Sequence, residues 1–410
     1  MEIYDVLVVG GGPAGMIAAY KAGERGFKTA VLEKKARPGI KLSITGKGRC
    51  NLTNSADLKE FVSCFRNGKF LYNSFLAFSN GDTVSFFEKI GVPCVLERGG
   101  RYFTASGDAK DAADALARNT KKYAEIITNF EVKSVKKQND GTFAVRGSER
   151  TLYSKNVILA CGGASYPSTG SSGDGYEIAK SLGHKVTEIF PALAPVVLES
   201  PYLKELKGLK LKNVEISVIF LNKTIAKEFG EAEFTIFGAD GPVILTLSGL
   251  IAENLQKGEI FISVNLKPAL TLEQLDKRFL RELDAYGHSA LKEMLKELLP
   301  LQMVKPFINY SGLQIDKKCS QINKEERERM VKSLRDFRFK VKGVKDIKEA
   351  IVTRGGVGTD EIDQKTMESK ITKGLYFCGE VIDVDAPTGG FNLQAAFSTG
   401  WLAGNSIKNR

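Results

Sequence analysis

Three glycines near the start of the chain have the spacing of a phosphate-binding turn. Gly10, Gly12 and Gly15 follow an apolar run at 3–9 and precede helix-forming residues at 16–23. In such a turn the first glycine permits the tight bend, the second lets the backbone approach a pyrophosphate, and the third lets the helix pack closely on the strand. The helix N-terminus then offers free N–H groups to the phosphates. The pattern predicts a βαβ unit that binds a dinucleotide.

An acidic residue stands where such a unit would contact a ribose. Glu33 ends the second apolar run, at 28–33, and lies 18 residues after Gly15. Its carboxylate is placed to accept hydrogen bonds from both ribose hydroxyls, and it disfavours a 2′-phosphate by charge repulsion. We add the adjacent Lys34 to the predicted cofactor contacts. The alternative is a glycine-rich structural turn beside a surface acid.

A second strand end with glycines favours FAD as the dinucleotide. The strand predicted at 157–160 ends in Cys161-Gly162-Gly163. Glycine there lets the chain pass close to the cofactor, so Ala160 and Gly162 join the predicted contacts. This strand follows a predicted three-stranded meander, formed by 124–128, 130–137 and 142–146.

A third strand end, late in the chain, strengthens the prediction of FAD. The apolar run 375–378 is followed by Gly379 and Glu380, an acid positioned for a ribityl hydroxyl. A glycine-rich loop ending in Gly390 then opens a helix at Phe391. The N-terminus of that helix would stabilise negative charge on a reduced flavin. NAD alone would need neither the glycine pair at 162–163 nor the pair Gly379-Glu380.

The elements that carry these segments predict an α/β domain interrupted by an insertion. The FAD-binding domain is expected over 1–195 and 350–410. Alternating apolar and polar residues with frequent turns predict a β-rich insertion over 196–268 and part of 305–349. Helical periodicity predicts a small helical subdomain at 269–304.

One nonapeptide, Gly46-Lys47-Gly48-Arg49-Cys50-Asn51-Leu52-Thr53-Asn54, resembles the hallmark of a known family. The BaiN-like flavoproteins are bacterial FAD proteins described as NAD(P)/FAD-dependent oxidoreductases, some of them called aminoacetone oxidases or bile-acid ring reductases. The resemblance extends to nearly the full chain, through 41–43, 100–103, 237–242, 353–357 and 376–404.

The resemblance implies a glutathione-reductase-type FAD-binding Rossmann domain that carries a β-barrel-like insertion and a helical subdomain. It implies FAD contacts at Ala14, Glu33, Lys41, Val132 (through its backbone), Glu380, Asn392 and Leu393. We also include Gly46, Arg49 and Asn51 from the nonapeptide. Two residues depart from the family pattern, because other members often have a second glycine at the position of Lys47 and a threonine at the position of Cys161. Lys47 either touches the pyrophosphate or points outward.

No catalytic residue can be assigned from the sequence, and no metal site is predicted. Cys50 has no second cysteine within ten residues, so it is either a small buried residue or a lone reactive thiol. Arg101 and Arg354 either bind an anionic substrate group or have structural roles. His184 follows a helix end, where a cation would suit the dipole.

Composition sets the class and the compartment. The formal net charge is +11, yet the basic residues are spread out and interleaved with acids, which argues against nucleic acid as a partner. Six cysteines without a CxxC pair predict a reducing cytoplasm. No apolar run is long enough to predict a membrane span. The oligomeric state stays open.

The leading prediction is a cytoplasmic FAD-dependent oxidoreductase that transfers two electrons, as hydride at flavin N5, to or from an unidentified small molecule. The sequence has a single GxGxxG βαβ unit, so NAD(P)H would bind only transiently as a donor. Three alternatives remain: an RNA-binding or RNA-modifying flavoprotein, an oxygen-using amine oxidase, and a non-catalytic FAD sensor.

Overall fold

The computed structural model describes residues 3–409 and divides them into two compact units. The first unit runs to Phe190 and resumes at Ile347, and the second is Pro191–Asp346. The site predicted from the sequence lies in the first unit.

The strands follow one another along the described chain as β1 (Ile3–Val9), β2 (Thr29–Leu32), β3 (Asn51–Asn54), β4 (Cys94–Glu97), β5 (Arg101–Thr104), β6 (Glu125–Ile127), β7 (Ser134–Lys137), β8 (Phe143–Arg146), β9 (Thr151–Leu159), β10 (Phe190–Ala192), β11 (Val196–Glu199), β12 (Lys210–Phe220), β13 (Lys223–Phe234), β14 (Gly238–Asp240), β15 (Ile260–Asn265), β16 (Phe337–Val344), β17 (Val352–Arg354) and β18 (Leu375–Phe377).

The helices are α1 (Pro13–Glu24), α2 (Leu58–Cys64), α3 (Gly68–Ala77), α4 (Asn80–Lys89), α5 (Ala109–Thr120), α6 (Asp174–Ser181), α7 (Leu203–Leu206), α8 (Pro242–Leu255), α9 (Leu272–Ala285), α10 (Leu291–Leu295), α11 (Leu301–Tyr310), α12 (Lys324–Arg335) and α13 (Phe391–Ser406).

A parallel sheet forms the centre of the first unit. β1 lies between β2 and β9, β6 continues the sheet beyond β2, and β18 pairs with the end of β9. Val6, Leu7 and Val8 of β1 are fully buried, as expected for a central parallel strand covered on both faces. The carboxyl ends of β1, β2, β9 and β18 therefore meet at one edge, where ligands bind in doubly wound folds.

The predicted meander is wrong in its first strand, whereas its other two strands are observed as β7 and β8. The run at 125–127 pairs in parallel with β2, at the far edge of the sheet. The meander consists instead of β7, β8 and the first half of β9. β9 begins at Thr151 rather than at 157, and its second half is the strand that flanks β1. A short apolar run satisfies a parallel or an antiparallel neighbour equally, so the sequence could not decide between them.

Helices α1 and α13 cross at close range on this sheet. A Cβ on Gly400 would lie 2.3 Å from the carbonyl oxygen of Ala14, and one on Gly404 would lie 2.3 Å from that of Ala18. The glycines of α13 thus let the two helix backbones touch, which fixes the N-terminus of α13 relative to that of α1.

The second unit is built around a closed six-stranded barrel in the order β11-β14-β13-β12-β15-β16. Its strands alternate buried and exposed residues, as in β12 and β16. Helices α8 to α12 contribute side chains to the same hydrophobic core as the barrel strands. The architecture confirms the predicted α/β class, with a Rossmann-type domain interrupted by a barrel and helices.

Candidate functional site

The glycine-rich turn after β1 lies against the end of β9. Gly10 has φ +108°, and a Cβ on it would lie 2.4 Å from the carbonyl oxygen of Ala160. A Cβ on Gly15 would lie 2.0 Å from the carbonyl oxygen of Gly10. A Cβ on Gly12 would meet no heavy atom within 4 Å. Two of the glycines are therefore required by packing, whereas Gly12 leaves open space at the N-terminus of α1.

Glu33 reaches this turn from the end of β2. It is 8% exposed, and its carboxylate accepts hydrogen bonds from the backbone N–H groups of Gly11 (2.9 Å) and Lys35 (2.8 Å). Burial raises the pKa of Glu33, and the two backbone bonds oppose that rise. Each carboxylate oxygen keeps a further lone pair for a ligand hydroxyl. Lys34 is directed instead to Asp174, 2.9 Å away.

Three further predicted contacts frame the same edge. Ala160 donates its N–H to the carbonyl oxygen of Val9 (2.9 Å), and Gly162 follows with φ +73°. The segment that leads to the buried Val132 runs beside β2, because Phe130 donates its N–H to the carbonyl oxygen of Glu33 (2.9 Å). The ends of three chain segments are thus fixed around the turn.

Lys41 and Glu380 form an ion pair that joins distant parts of the chain. Lys41 Nζ lies 2.8 Å from Glu380 Oε2 and donates to Ser165 Oγ (2.7 Å). Glu380 Oε1 also accepts from the backbone N–H of Thr353 (2.8 Å). Gly379 precedes it with φ +75° and donates its N–H to Thr399 Oγ1 (2.9 Å). Ser165 carries no sequence signal, and Thr353 lies in the stretch 353–357 without an assigned contact, so only the fold could identify these two partners.

The nonapeptide is fixed to the N-terminus of α13. With its amide oxygen facing Gly390, Asn51 accepts the N–H of that glycine at 2.9 Å. Gly390 has φ +97°, and a Cβ on it would lie 2.4 Å from the carbonyl oxygen of Thr53. Asn392 bonds to the backbone of Ala386 through both its amide oxygen (3.0 Å) and its nitrogen (2.8 Å). These hydrogen bonds and the close approach of Gly390 to Thr53 fix the conformation of the loop before α13.

Other residues of the predicted set lie at the margin of this arrangement. Gly46 and Lys47 both have left-handed backbones, and the Lys47 side chain is exposed. Arg49 is exposed, forms an ion pair with Glu97 and lies with its guanidinium 4.4 Å from the ring centre of Phe103. Leu393 packs against the aromatic cluster that includes Phe397. Arg49 thus faces solvent, unlike most of the predicted contacts.

Cys50 is a buried thiol beside the site, and Cys161 is a partly buried one at the end of β9. Burial raises the pKa of Cys50 to about 12, and it raises the pKa of Cys161 further. Cys161 Sγ lies 3.5 Å from the carbonyl oxygen of Val9 and acts as its donor. A protonated, enclosed thiol is a poor nucleophile, so the geometry favours a packing role for Cys50.

Arg354 and Asp385 form a buried, two-pronged ion pair. Arg354 Nη2 lies 2.8 Å and its Nε 3.2 Å from Asp385 Oδ2. The neighbouring Asp383 is buried, and its Oδ1 accepts no hydrogen bond from the described residues. Burial raises the pKa of Asp383, and the charge of Arg66 opposes that rise. This pairing gives Arg354 a structural role whether or not it also meets a substrate.

His184 does not act as the expected helix-end cation. Its side chain is fully buried, with Nδ1 3.1 Å from Glu361 and Nε2 2.8 Å from Ser369 Oγ. Desolvation lowers its pKa, although Glu361 acts in the opposite direction. It also packs edge-on against Phe377, with ring centres 4.7 Å apart. His184 is a neutral core residue because the folded chain removes it from water.

The residues at the sheet edge fit FAD. The open space beside Gly12 at a helix N-terminus suits a pyrophosphate, and Glu33 lies beside the same turn to meet a ribose. Gly379 and Gly390 keep left-handed backbones near the start of α13. Bound there, FAD supplies two-electron redox chemistry.

Comparison with known proteins identifies the family. Residues 4–406 match the family described as the HI0933-like protein Rossmann domain. The chain belongs to this family. The match confirms the resemblance inferred from the nonapeptide, and it makes the protein an FAD-dependent oxidoreductase.

Two curated relatives of this family cover nearly the whole chain. A 3-dehydro-bile acid delta(4,6)-reductase from Clostridium scindens is 29% identical over 409 residues, 98% of each chain. A ribosomal RNA dihydrouridine synthase from Escherichia coli is 32% identical over 410 residues, 99% of this chain and 98% of the relative.

Solved structures show the same fold at low identity. A 3-ketosteroid delta1-dehydrogenase from Sterolibacterium denitrificans superposes with a TM-score of 0.53 at 14% identity, over 99% of both chains. Among the described residues, no helix is both long and apolar enough to cross a membrane.

Proposed function

We propose that this flavoenzyme reduces a carbon–carbon double bond conjugated to a carbonyl group. The observation that carries the proposal is the near full-length similarity to relatives with two different substrates. A 3-oxo bile acid with ring double bonds and the uracil ring of uridine share one feature, a C=C bond polarised by a carbonyl. Hydride transfer to such a bond needs a positioned reductant and a source of one proton.

The chain's own residues suit the positioning part of this reaction. The turn at Gly12, the Glu33 carboxylate and the Lys41–Glu380 pair would hold the cofactor from one side of the sheet edge. The N-terminus of α13, fixed by Asn51 and Gly390, would favour negative charge in front of it.

Asp383 is our candidate for holding the proton. Its carboxyl group is buried, and burial raises its pKa, so it keeps a proton to higher pH than an exposed aspartate does. It follows Glu380 by three residues in the loop that leads to α13. Asp383→Asn retains the shape but removes the acid, and we expect it to slow double-bond reduction while flavin content is unchanged.

We propose NAD(P)H as a transient electron donor that binds at the substrate face. The test is to mix the FAD-loaded protein with NADH or NADPH without oxygen, follow flavin absorbance, and then add a cyclic enone. Bleaching followed by reoxidation with the enone supports the proposal. Bleaching that only oxygen reverses would contradict it and favour an oxidase, and flavin that stays oxidised would favour a sensor.

Uridine in RNA is a second candidate substrate. It is favoured by the two relatives named ribosomal RNA dihydrouridine synthase, from Escherichia coli (32% identical) and Haemophilus influenzae (29%), and by the net charge of +11. The test incubates ribosomal RNA transcribed in vitro with the protein and NADPH, and measures dihydrouridine by nucleoside mass spectrometry. Its absence, with a small enone turned over, would restrict the enzyme to small molecules. A cytoplasmic location accords with both candidates.

A further inference from the structure

A short hairpin is attached to the part of the site where the reacting end of the cofactor is expected. β4 and β5 are joined by the turn 98–100, and β5 also pairs with β3. Asn54 Nδ2 donates to the carbonyl oxygens of both Gly99 (3.1 Å) and Gly389 (3.0 Å). Ser55 donates its N–H to the carbonyl oxygen of Gly100 (2.6 Å). The tip of the hairpin is therefore fixed next to the loop that begins α13.

This hairpin and the neighbouring loop 46–49 carry a local excess of positive charge. We call their four cationic residues the basic rim: Lys47, Arg49, Arg98 and Arg101. All four are exposed, and Glu97 is the one acid in 46–49 and 94–104. The net charge of the whole chain does not reveal this concentration, because lysines elsewhere alternate with acids.

Packing and pairing hold part of the rim in place and leave the rest available. The guanidinium groups of Arg49 and Arg101 lie 4.4 and 5.8 Å from the ring centre of the buried Phe103. Arg49 is paired with Glu97. Lys47 and Arg98 form no ion pair with any residue between 3 and 409. The rim thus presents cations on a fixed support.

We propose that the basic rim binds the phosphate groups of a polynucleotide substrate beside the site of reduction. This inference rests on the second candidate substrate above. Arginine is well suited to phosphate because its planar fork donates two parallel hydrogen bonds. The cations are exposed and spread over a loop and a hairpin, which suits an extended polyanion better than the single phosphate of NADPH. Phosphate contacts of this kind would hold the chain while one base enters the site.

The test measures RNA binding by full-length, FAD-loaded protein. Fluorescence anisotropy with a labelled single-stranded RNA compares the wild type with Arg98→Ala/Arg101→Ala at several salt concentrations. The matched control is Lys121→Ala/Lys122→Ala, which removes the same charge from an exposed site after α5. Flavin absorbance and circular dichroism verify that both variants are loaded and folded.

We expect the arginine variant to bind RNA about tenfold more weakly, with a salt slope smaller by about 1.4, since each lost contact on a single strand removes about 0.7. The lysine control should bind as the wild type does. Equal weakening in both variants would overturn the rim, because general charge would then explain binding. An effect on the KM for NADPH without one on RNA would overturn it in favour of a nicotinamide site.

The rim and the proposed function fail in different ways. If the wild type reduces a small enone but the arginine variant binds RNA as tightly as the wild type, the rim is refuted and the reductase stands. If the wild type reduces no double bond while the arginine variant alone loses RNA binding, the reductase is refuted and the rim stands.

Discussion

The variant Gly12→Ala tests whether the open space beside Gly12 is needed for binding FAD rather than for folding. Gly12 has φ −77°, and an added Cβ would meet no heavy atom within 4 Å, so alanine fits the protein without strain. A glycine-to-alanine change at such a φ adds about 0.4–1 kcal/mol of stability, because the unfolded chain loses freedom. Gly12 is also the N-cap of α1, where alanine is less favourable than glycine by about the same amount. The two effects oppose each other, so the Tm of the FAD-free protein should stay within about 4 °C of the wild-type value.

With FAD the two proteins should separate, because the new methyl group occupies the space that we assign to the pyrophosphate. A ligand at about a hundred times its Kd adds about 2.7 kcal/mol of stability. The wild type should gain this amount and Gly12→Ala should gain little at the same FAD concentration. Thermal unfolding with and without FAD measures the effect, and equilibrium dialysis gives the two affinities directly.

Gly15→Ala is the matched comparison three residues away. Its Cβ would lie 2.0 Å from the carbonyl oxygen of Gly10, so the helix must move off the strand. Its FAD-free Tm should fall well below that of the wild type. Wild-type FAD affinity in Gly12→Ala would refute the placement of the pyrophosphate, and a Gly12→Ala protein as unstable as Gly15→Ala would refute the open space.

Three further predictions concern buried groups. Arg354→Met leaves Asp385 buried without its two-pronged partner, and should lower the free energy of unfolding by about 3–5 kcal/mol in urea titrations. A double variant that also carries Asp385→Leu should lose less. Equal losses in the two variants would contradict the pairing. The pKa of His184 is lowered by burial, so below about pH 6.5 the unfolded chain takes up a proton that the folded chain resists. The urea concentration at the unfolding midpoint should therefore decrease as the pH is lowered from about 7.5 to about 5.5, and it should decrease less in His184→Gln. The same pH dependence in both proteins would count against a lowered pKa of His184. Burial raises the pKa of Cys50 to about 12, so iodoacetamide should not alkylate Cys50 in the native protein at neutral pH. Peptide mass spectrometry measures the modification, and rapid alkylation would restore the reactive-thiol alternative.

The cofactor side of the site was largely predictable because its signals are local. The glycines at 10, 12 and 15, Glu33 after β2 and Gly379-Glu380 after β18 each follow an apolar run, and the structure brings these strand ends to one edge. Their contact with FAD stays a prediction. Lys41 was among the predicted contacts, but the other two partners of Glu380 were not predictable, since Ser165 and Thr353 are common polar residues more than twenty positions away.

The sequence alone determined the class of this protein, its family and the cofactor it implies. The class and the cofactor follow from hydrophobic periodicity and from glycines at fixed spacing, which act over a few residues. The family follows from the resemblance of the nonapeptide at 46–54. The tertiary structure decided what depends on long-range pairing: which neighbour β6 joins, that Arg354 is tied to Asp385, and that His184 is neutral. It also placed the hairpin at 94–104 beside α13. Burial and charge pairing are properties of the folded chain as a whole, so a residue's neighbours in sequence do not set them.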